Sequence, residues 1–242
     1  MSRSKFILAC LAALVGLAAH AGEIARFNAD LDGDGKPEAI RLSMSRGADE
    51  AHSTLTVAIV GDEFSTQTFS ADGETPGLRV IAIDFKSHLR QVVIETFEAG
   101  SCRYDIVGYR AGHLVRLLTV EGGADCEAPR SQGQGVVTTR SWQGFWWRTE
   151  AYRLGADGAS LRKVERTEYD VNVAGAAGTG LVLSGATCKT ASIESGAFVR
   201  VTRFDSKLNR YLLESPGRAC GWVPASDLSD IGGKVYDLPF AG

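Results

Sequence analysis

An acidic nine-residue run near the start of the chain constrains the local fold more than any other feature. Residues 30–38 read DLDGDGKPE, and the glycines Gly33 and Gly35 between the acidic side chains permit a sharp bend. The following residues, EAIRLSM at 38–44, alternate polar and apolar side chains, which indicates a half-buried strand. The sequence therefore predicts a tight acidic loop that leads directly into a β-strand.

The spacing of the acidic side chains in this loop predicts a calcium site. Carboxylates occupy the first, third, fifth and ninth positions, as Asp30, Asp32, Asp34 and Glu38. An EF-hand would need a bidentate glutamate at the twelfth position, where this chain has Arg41. The alternative is an acidic Asp-Gly turn without a metal. Because four neighbouring carboxylates repel one another and a divalent cation relieves that repulsion, we favour calcium.

The loop and the strand after it resemble the calcium-binding loop of FG-GAP and VCBS repeats, which build β-propeller blades. The resemblance covers roughly residues 24–165, and its specificity comes almost entirely from the one loop. It implies that Asp30, Asp32, Asp34 and Glu38 bind calcium through their carboxylates and that Lys36 binds it through its backbone carbonyl.

A faint internal repeat is also typical of blades. Residues 29–31, with the strand behind them, have an echo at residues 83–85, which precede a strand at 91–96. In this alignment Lys86 and His88 replace Asp32 and Asp34, so we expect the second copy not to bind calcium. A third block begins at residues 133–135, and the spacing of roughly 50 residues fits blade-type repeats.

Nearly every patterned segment predicts a strand, and none has a convincing helical stripe. Short β-branched runs are separated by turn signals, at residues 55–60, 64–69, 78–85, 91–97 and 103–109. We therefore predict an all-β fold, with a propeller-like or sandwich domain of short antiparallel strands at residues 22–165. The Gly-Ala-rich residues 173–180 are interpreted as a linker or exposed turn.

The pattern after this stretch predicts a second domain at residues 166–242. Three short strands, 198–204, 210–214 and the GWV run at 221–223, precede a brief helical turn at residues 224–228. A GWV strand followed by such a turn resembles the end of bacterial SH3-like barrels, over about residues 180–240. We therefore expect a C-terminal SH3-like β-barrel.

The beginning of the chain and its cysteines predict export. Residues 1–21 have a charged start, an apolar core and an Ala-His-Ala cleavage site, as a signal peptide does. Four cysteines follow, which suits the bacterial periplasm or the cell exterior. Three pairings are possible, and proximity favours Cys102 with Cys126 and Cys188 with Cys220.

Several functional classes find no support in the sequence. The formal net charge is −3 and the basic residues are scattered, so no nucleic-acid or anionic-membrane surface is predicted. No further apolar run is long enough to span a bilayer. Catalytic motifs are absent, so we expect no enzyme. Glu95, Glu98 and Asp105 could form a carboxylate pair for glycoside hydrolysis, but solvated strand faces are the favoured explanation.

Tryptophans supply the candidate binding residues. Residues 142–147 read WQGFWW; on a strand, Phe145 and Trp147 would share one face and fill the core, whereas Trp146 would point the other way. Trp142 and Trp146 are therefore candidates for stacking on sugar rings or for a protein hot spot, with core packing as the alternative. Trp222 is likewise a candidate for lining a peptide groove, with anchoring of the barrel as the alternative.

Together these features predict an exported, non-catalytic calcium-binding protein that binds a cell-envelope partner, either cell-wall peptide or protein. The alternative is a periplasmic inhibitor or immunity protein against a peptidoglycan hydrolase. A glycan-cleaving enzyme is the third and least favoured class.

Overall fold

Antiparallel sheets make up the fold, which confirms the all-β prediction. A computed structural model describes residues 22–46, 53–61, 64–71, 77–98, 101–123, 127–185, 188, 190–217, 219–229 and 232–239. The predicted signal peptide, residues 1–21, lies outside the described residues. The described part of the chain contains these strands, together with one 3-10 helix, η1 (Ala225–Leu228): β1 (Gly22–Ala29), β2 (Glu38–Arg46), β3 (Ser53–Val60), β4 (Phe64–Ala71), β5 (Gly77–Ile81), β6 (Gln91–Glu98), β7 (Ser101–Arg110), β8 (His113–Gly123), β9 (Arg130–Ser131), β10 (Val136–Trp142), β11 (Trp147–Leu154), β12 (Leu161–Lys163), β13 (Glu168–Ala177), β14 (Leu181–Val182), β15 (Ser192–Ile193), β16 (Phe198–Asp205), β17 (Arg210–Glu214), β18 (Cys220–Pro224) and β19 (Val235–Tyr236).

Three successive four-stranded sheets follow one another along the chain. They contain β1–β4, β5–β8 and β9–β12, and in each sheet the strands lie side by side in chain order. The sheets begin at Gly22, Gly77 and Arg130, a spacing close to the roughly 50 residues that the repeat predicts. In each sheet, an irregular loop joins the first strand to the second.

The chain divides into two compact units. The first comprises Met1–Val120, Ser131–Gly135 and Leu154–Ser160, and the second comprises Glu121–Arg130, Val136–Arg153 and Leu161–Gly242. The last segment of the second unit begins close to the predicted domain boundary between residues 165 and 166. Its two earlier segments fall inside the range that the sequence assigned to the first domain.

Alternation along the strands builds the core of the first unit. In β3, Leu55, Val57 and Ile59 are fully buried while every second residue is more exposed, as the two-residue period of a strand requires. They pack with Ile40 and Leu42 of β2 and with the inner faces of β6 and β7.

The second unit contains a curled five-stranded sheet in the order β18-β17-β16-β13-β19, together with the small β14–β15 pair. The register shifts in the β13–β16 and β16–β17 ladders mark irregularities where such a sheet bends. The 3-10 helix η1 occupies the predicted helical turn and precedes β19, which pairs with β13.

The prediction of a linker or exposed turn at the Gly-Ala-rich residues 173–180 is wrong for residues 173–177, whereas residues 178–180 lie beyond the strand, with Thr179 and Gly180 exposed. Most of them belong to β13, which pairs with both β16 and β19. Small side chains are needed there because a Cβ at Gly178 would overlap the Tyr236 ring, and one at Gly175 would lie 2.8 Å from the Tyr236 carbonyl oxygen. Close approach of Tyr236, through its carbonyl oxygen at Gly175 and its ring at Gly178, accounts for the glycines at these two positions.

Candidate metal centre

The acidic loop between β1 and β2 is organised by its own backbone N–H groups. Asp30 accepts from Gly33 N at 2.7 Å through Oδ1 and from Gly35 N at 3.0 Å through Oδ2. Gly33 and Gly35 have φ values of 81° and 86°, in the left-handed region that favours glycine. The sharp bend that the sequence predicted is therefore present, and it turns the carboxylates toward one another.

Three of the four predicted carboxylates come together. Asp30, Asp32 and Glu38 each offer an oxygen, and these oxygens all lie within 4.8 Å of one another. Calcium–oxygen distances are roughly 2.3–2.6 Å, so two ligands of one ion lie at most roughly 5 Å apart. The donor set is entirely oxygen, which suits a hard cation, and the three residues therefore fit calcium.

Asp34 and Lys36 take a different part in the loop. Asp34 Oδ1 accepts from Lys36 N at 2.7 Å, and Asp34 Oδ2 lies 3.7 Å from Lys36 Nζ. Both side chains are exposed. Asp34 lies outside the group of three, so its ligation, like that of the Lys36 carbonyl, stays a prediction.

Glu38 closes the loop from inside the protein. It is the first residue of β2 and only 5% exposed, and its Oε2 accepts from Leu31 N at 2.6 Å. Burial raises the pKa of Glu38, and the nearby charges of Asp32 and Asp30 raise it further, although the Leu31 N–H acts in the opposite direction. Burial and the neighbouring carboxylates thus disfavour the charged form of Glu38, and a bound cation would offset this free-energy cost.

A cleft of about 420 Å³ opens beside these carboxylates, within the first unit. Asp32, Asp34 and Glu38 form the acidic part of its lining, and the β3–β4 and β7–β8 turns contribute further lining residues. There, Tyr109, Ala111 and Gly112 line the cleft. Nothing in the local sequence signal of the loop indicated these wall residues, because they approach only when the first two sheets pack.

Trp146 is a core residue, and its prediction as a binding residue is wrong. The ring is 3% exposed and its Nε1 donates to the Tyr211 hydroxyl at 3.0 Å. Phe145 is equally buried, which confirms its predicted place in the core. Residues 143–146 form the turn between β10 and β11 rather than a strand, so the expected alternation does not apply and both rings enter the core of the second unit.

Trp142 and Trp222 remain partly accessible. Trp142 is half-buried and contacts its cross-strand partner Trp147 edge to face, with ring centroids 5.1 Å apart. Trp222 is half-buried on β18, and the Arg210 guanidinium lies 4.4 Å from its ring centroid. Both positions are compatible with the binding roles predicted for them, which stay predictions.

The cysteines agree with the predicted pairing where the structure describes both partners. Cys188 and Cys220 form a disulfide with a Cα–Cα distance of 5.3 Å. Cys102 is buried on β7, and Cys126 lies outside the described residues. The Cys102–Cys126 pairing therefore stays a prediction.

The candidate carboxylate pair for glycoside hydrolysis does not form from Glu95 and Asp105. In the β6–β7 ladder Asp105 lies opposite Ile94, whereas Glu95 lies opposite Tyr104, so the two side chains point to opposite faces of the sheet. Asp105 is also only 1% exposed, so the expectation of a solvated position is wrong for it. Its carboxylate is paired with the guanidinium groups of Arg103 and Arg116.

In the described residues no helix is long and apolar enough to cross a membrane. Comparison of the chain with protein-family models, with curated proteins and with solved structures finds no match.

Proposed function

We propose that this protein is an exported, non-catalytic calcium-binding protein that binds a partner in the cell envelope. The observation that carries the calcium assignment is the convergence of Asp30, Asp32 and Glu38, whose oxygens lie within 4.8 Å of one another. The ion is structural: it orders the loop between β1 and β2, so that β2 enters its sheet in register.

The FG-GAP or VCBS resemblance is part of this proposal. The successive four-stranded sheets support it, because each has its strands in chain order and a loop between its first and second strands. The SH3-like assignment of the C-terminal part is supported by the order β13, β16, β17, β18, η1 and β19, with β19 paired back to β13.

Export to the periplasm or beyond is supported by the Cys188–Cys220 disulfide, since such bonds persist in oxidising compartments. The envelope partner is a cell-wall peptide or a protein, and we assign its contacts to the accessible Trp142 and Trp222. When the whole protein is incubated with purified peptidoglycan, it should be retained on the insoluble peptidoglycan, and Trp222→Ala should weaken that retention. Equal recovery in the unbound fraction with and without peptidoglycan would refute wall binding.

The inhibitor of a peptidoglycan hydrolase is the alternative function. A plug for a hydrolase cleft could come from an exposed Trp146 or from a protruding loop around Cys126, and the burial of Trp146 removes the first of these. The other, the loop around Cys126, lies outside the described residues. Adding the purified protein to a lysozyme-type lysis assay separates the two functions, because only the inhibitor slows lysis.

The dependence of folding stability on calcium tests whether the loop between β1 and β2 binds the ion. For a dissociation constant of roughly 0.1–1 mM, 10 mM calcium stabilises the folded state by about 1.4–2.7 kcal/mol relative to chelator. This corresponds to a rise in melting temperature of about 3–11 °C for a chain of this size. Asp32→Ala should abolish the rise.

Asp84→Ala is the matched control for Asp32→Ala. Asp84 occupies the corresponding loop of the second sheet, where its Oδ1 accepts from Lys86 N at 3.0 Å, as Asp32 Oδ1 accepts from Asp34 N at 3.1 Å. The control variant should keep the full calcium response. A wild-type melting curve that is the same in calcium and in chelator would overturn the assignment.

A further inference from the structure

The first loops of the first two sheets share a hydrogen-bond pattern that the sequence alignment did not find. In the first sheet, Leu31 N donates to the side chain of Glu38, the first residue of β2, at 2.6 Å. In the second sheet, Ile83 N donates to Oε1 of Gln91, the first residue of β6, at 3.0 Å. Leu31 and Ile83 are both fully buried, so each N–H depends on this acceptor.

The backbone carbonyl groups of Leu31 and Ile83 also share a hydrogen-bond pattern. Leu31 O accepts from Arg90 N, in the loop of the second sheet, at 3.2 Å. Ile83 O accepts in turn from Gly135 N, in the next loop along the chain, at 2.8 Å. These contacts all lie within the first unit. Leu31 and Ile83 therefore occupy equivalent positions, each joined to the strand of its own sheet and to the following loop.

This equivalence corrects the register of the internal repeat. Asp84 corresponds to Asp32 rather than to Asp30, because each accepts from the N–H two residues further on. Asp30 then corresponds to Ala82. Glu38 corresponds to Gln91 because each begins the second strand of its sheet and accepts the equivalent N–H, although the second loop is one residue longer. Two of the three converging carboxylates of the first loop are thus replaced by uncharged residues in the second.

We infer that Glu38 and Gln91 are equivalent anchor residues, and that their difference in charge makes the first loop cation-dependent and the second cation-independent. The inference deepens the proposed calcium function and depends on it for the first loop. Each anchor satisfies a buried backbone N–H, which would be costly to leave without an acceptor. An amide does this without burying a charge, whereas the carboxylate of Glu38 brings a third negative charge next to Asp30 and Asp32.

Melting temperatures of Glu38→Gln and Glu38→Ala separate the anchor role from the ligand role. In chelator, Glu38→Gln should melt at or above the wild-type temperature, because the amide oxygen keeps the acceptor and removes the charge. Glu38→Ala should melt about 2–12 °C below Glu38→Gln, because Leu31 N loses its acceptor. Neither variant should respond to calcium as the wild type does.

Gln91→Ala provides the matched change in the second loop. Its melting temperature should fall by a similar amount in chelator and in calcium, while the calcium-induced rise stays at the wild-type size. Amide exchange of the unmodified protein gives a second measurement: calcium should slow exchange through local opening several-fold at the Leu31 N–H and leave local opening at the Ile83 N–H unchanged, whereas exchange through global unfolding slows at both.

The outcomes distinguish the shared anchor role of Glu38 and Gln91 from the proposed calcium function of the first loop. Equal melting temperatures for Glu38→Gln and Glu38→Ala in chelator would overturn the anchor role of Glu38. A calcium-dependent slowing of local opening at Ile83 as large as that at Leu31 would overturn the independence of the second loop. If the wild type shows no calcium response while Glu38→Gln still melts above Glu38→Ala, the proposed function fails and the shared anchor remains.

Discussion

The buried indole of Trp146 gives the most direct test of how the second unit is held together. Its ring lies among Tyr169, Phe204 and Tyr211, with centroid distances of 6.2, 5.7 and 6.4 Å, and its N–H donates to the Tyr211 hydroxyl. Trp146→Ala removes this ring contact and the donor together. We expect a loss of about 3–5 kcal/mol of unfolding free energy, the usual range for a large aromatic side chain in a core.

Trp146→Phe separates the ring from the hydrogen bond. The phenyl ring keeps much of the packing, but the Tyr211 hydroxyl, which is buried, loses its donor. The expected loss is about 1–3 kcal/mol. Urea unfolding followed by far-ultraviolet circular dichroism is the appropriate assay, because the signal does not depend on the tryptophan that is removed.

Trp142→Ala is the matched control. Trp142 lies four residues earlier and is only half-buried, and its ring contacts Trp147 edge to face. Losing such a pair should cost about 0.5–1.5 kcal/mol, together with a modest loss of buried area. If Trp146→Ala costs no more than Trp142→Ala, the aromatic cluster does not stabilise the second unit as argued.

Two further predictions concern the second unit. Burial raises the pKa of Asp205, but the N–H groups of Leu208 and Lys207 and the Arg210 guanidinium outweigh burial and lower the pKa below the usual 3.8. Because the folded pKa is lowered, the stabilisation from the Asp205 carboxylate is complete above about pH 4 and is lost as pH falls through the folded pKa. Asp205→Asn should therefore destabilise the protein at pH 7 and progressively less in acid, as measured by urea midpoints across pH. Replacing both Cys188 and Cys220 by alanine opens a link between residues 32 apart in sequence and should cost about 3–4 kcal/mol on chain-entropy grounds, and a urea midpoint equal to that of the oxidised wild type would contradict this.

Local patterns in the sequence were sufficient for strands β2 to β7 and for the acidic loop. The two-residue alternation at 38–44 follows from one buried face, and the loop bends at Gly33 and Gly35 because both take positive φ. The turn at residues 224–228 was likewise predictable, and it appears as η1. In each of these cases the determining contacts lie within a few residues of one another.

Predictions failed where a residue's environment comes from distant segments. Strand alternation made Trp146 a candidate binding residue, with core packing as the alternative. Its burial depends on Tyr169, Phe204 and Tyr211, which follow it by more than twenty residues. Gly175 and Gly178 were interpreted as a linker because the close approach of Tyr236 is invisible in a local window. Contacts between segments that are distant in the sequence therefore decided the structure at both places.

The acidic loop shows why spacing alone does not identify the ligand set. Asp30, Asp32, Asp34 and Glu38 are equally plausible in the sequence, yet the backbone gives them different surroundings. Asp34 is directed to the N–H and ammonium group of Lys36 at the surface, whereas Glu38 is held inside the protein by the Leu31 N–H. Water solvates the exposed carboxylate of Asp34 but not the buried one of Glu38, so a bound cation would have its larger effect at Glu38. The uncharged Gln91 accepts the Ile83 N–H at the equivalent position, so an acceptor there does not need a negative charge.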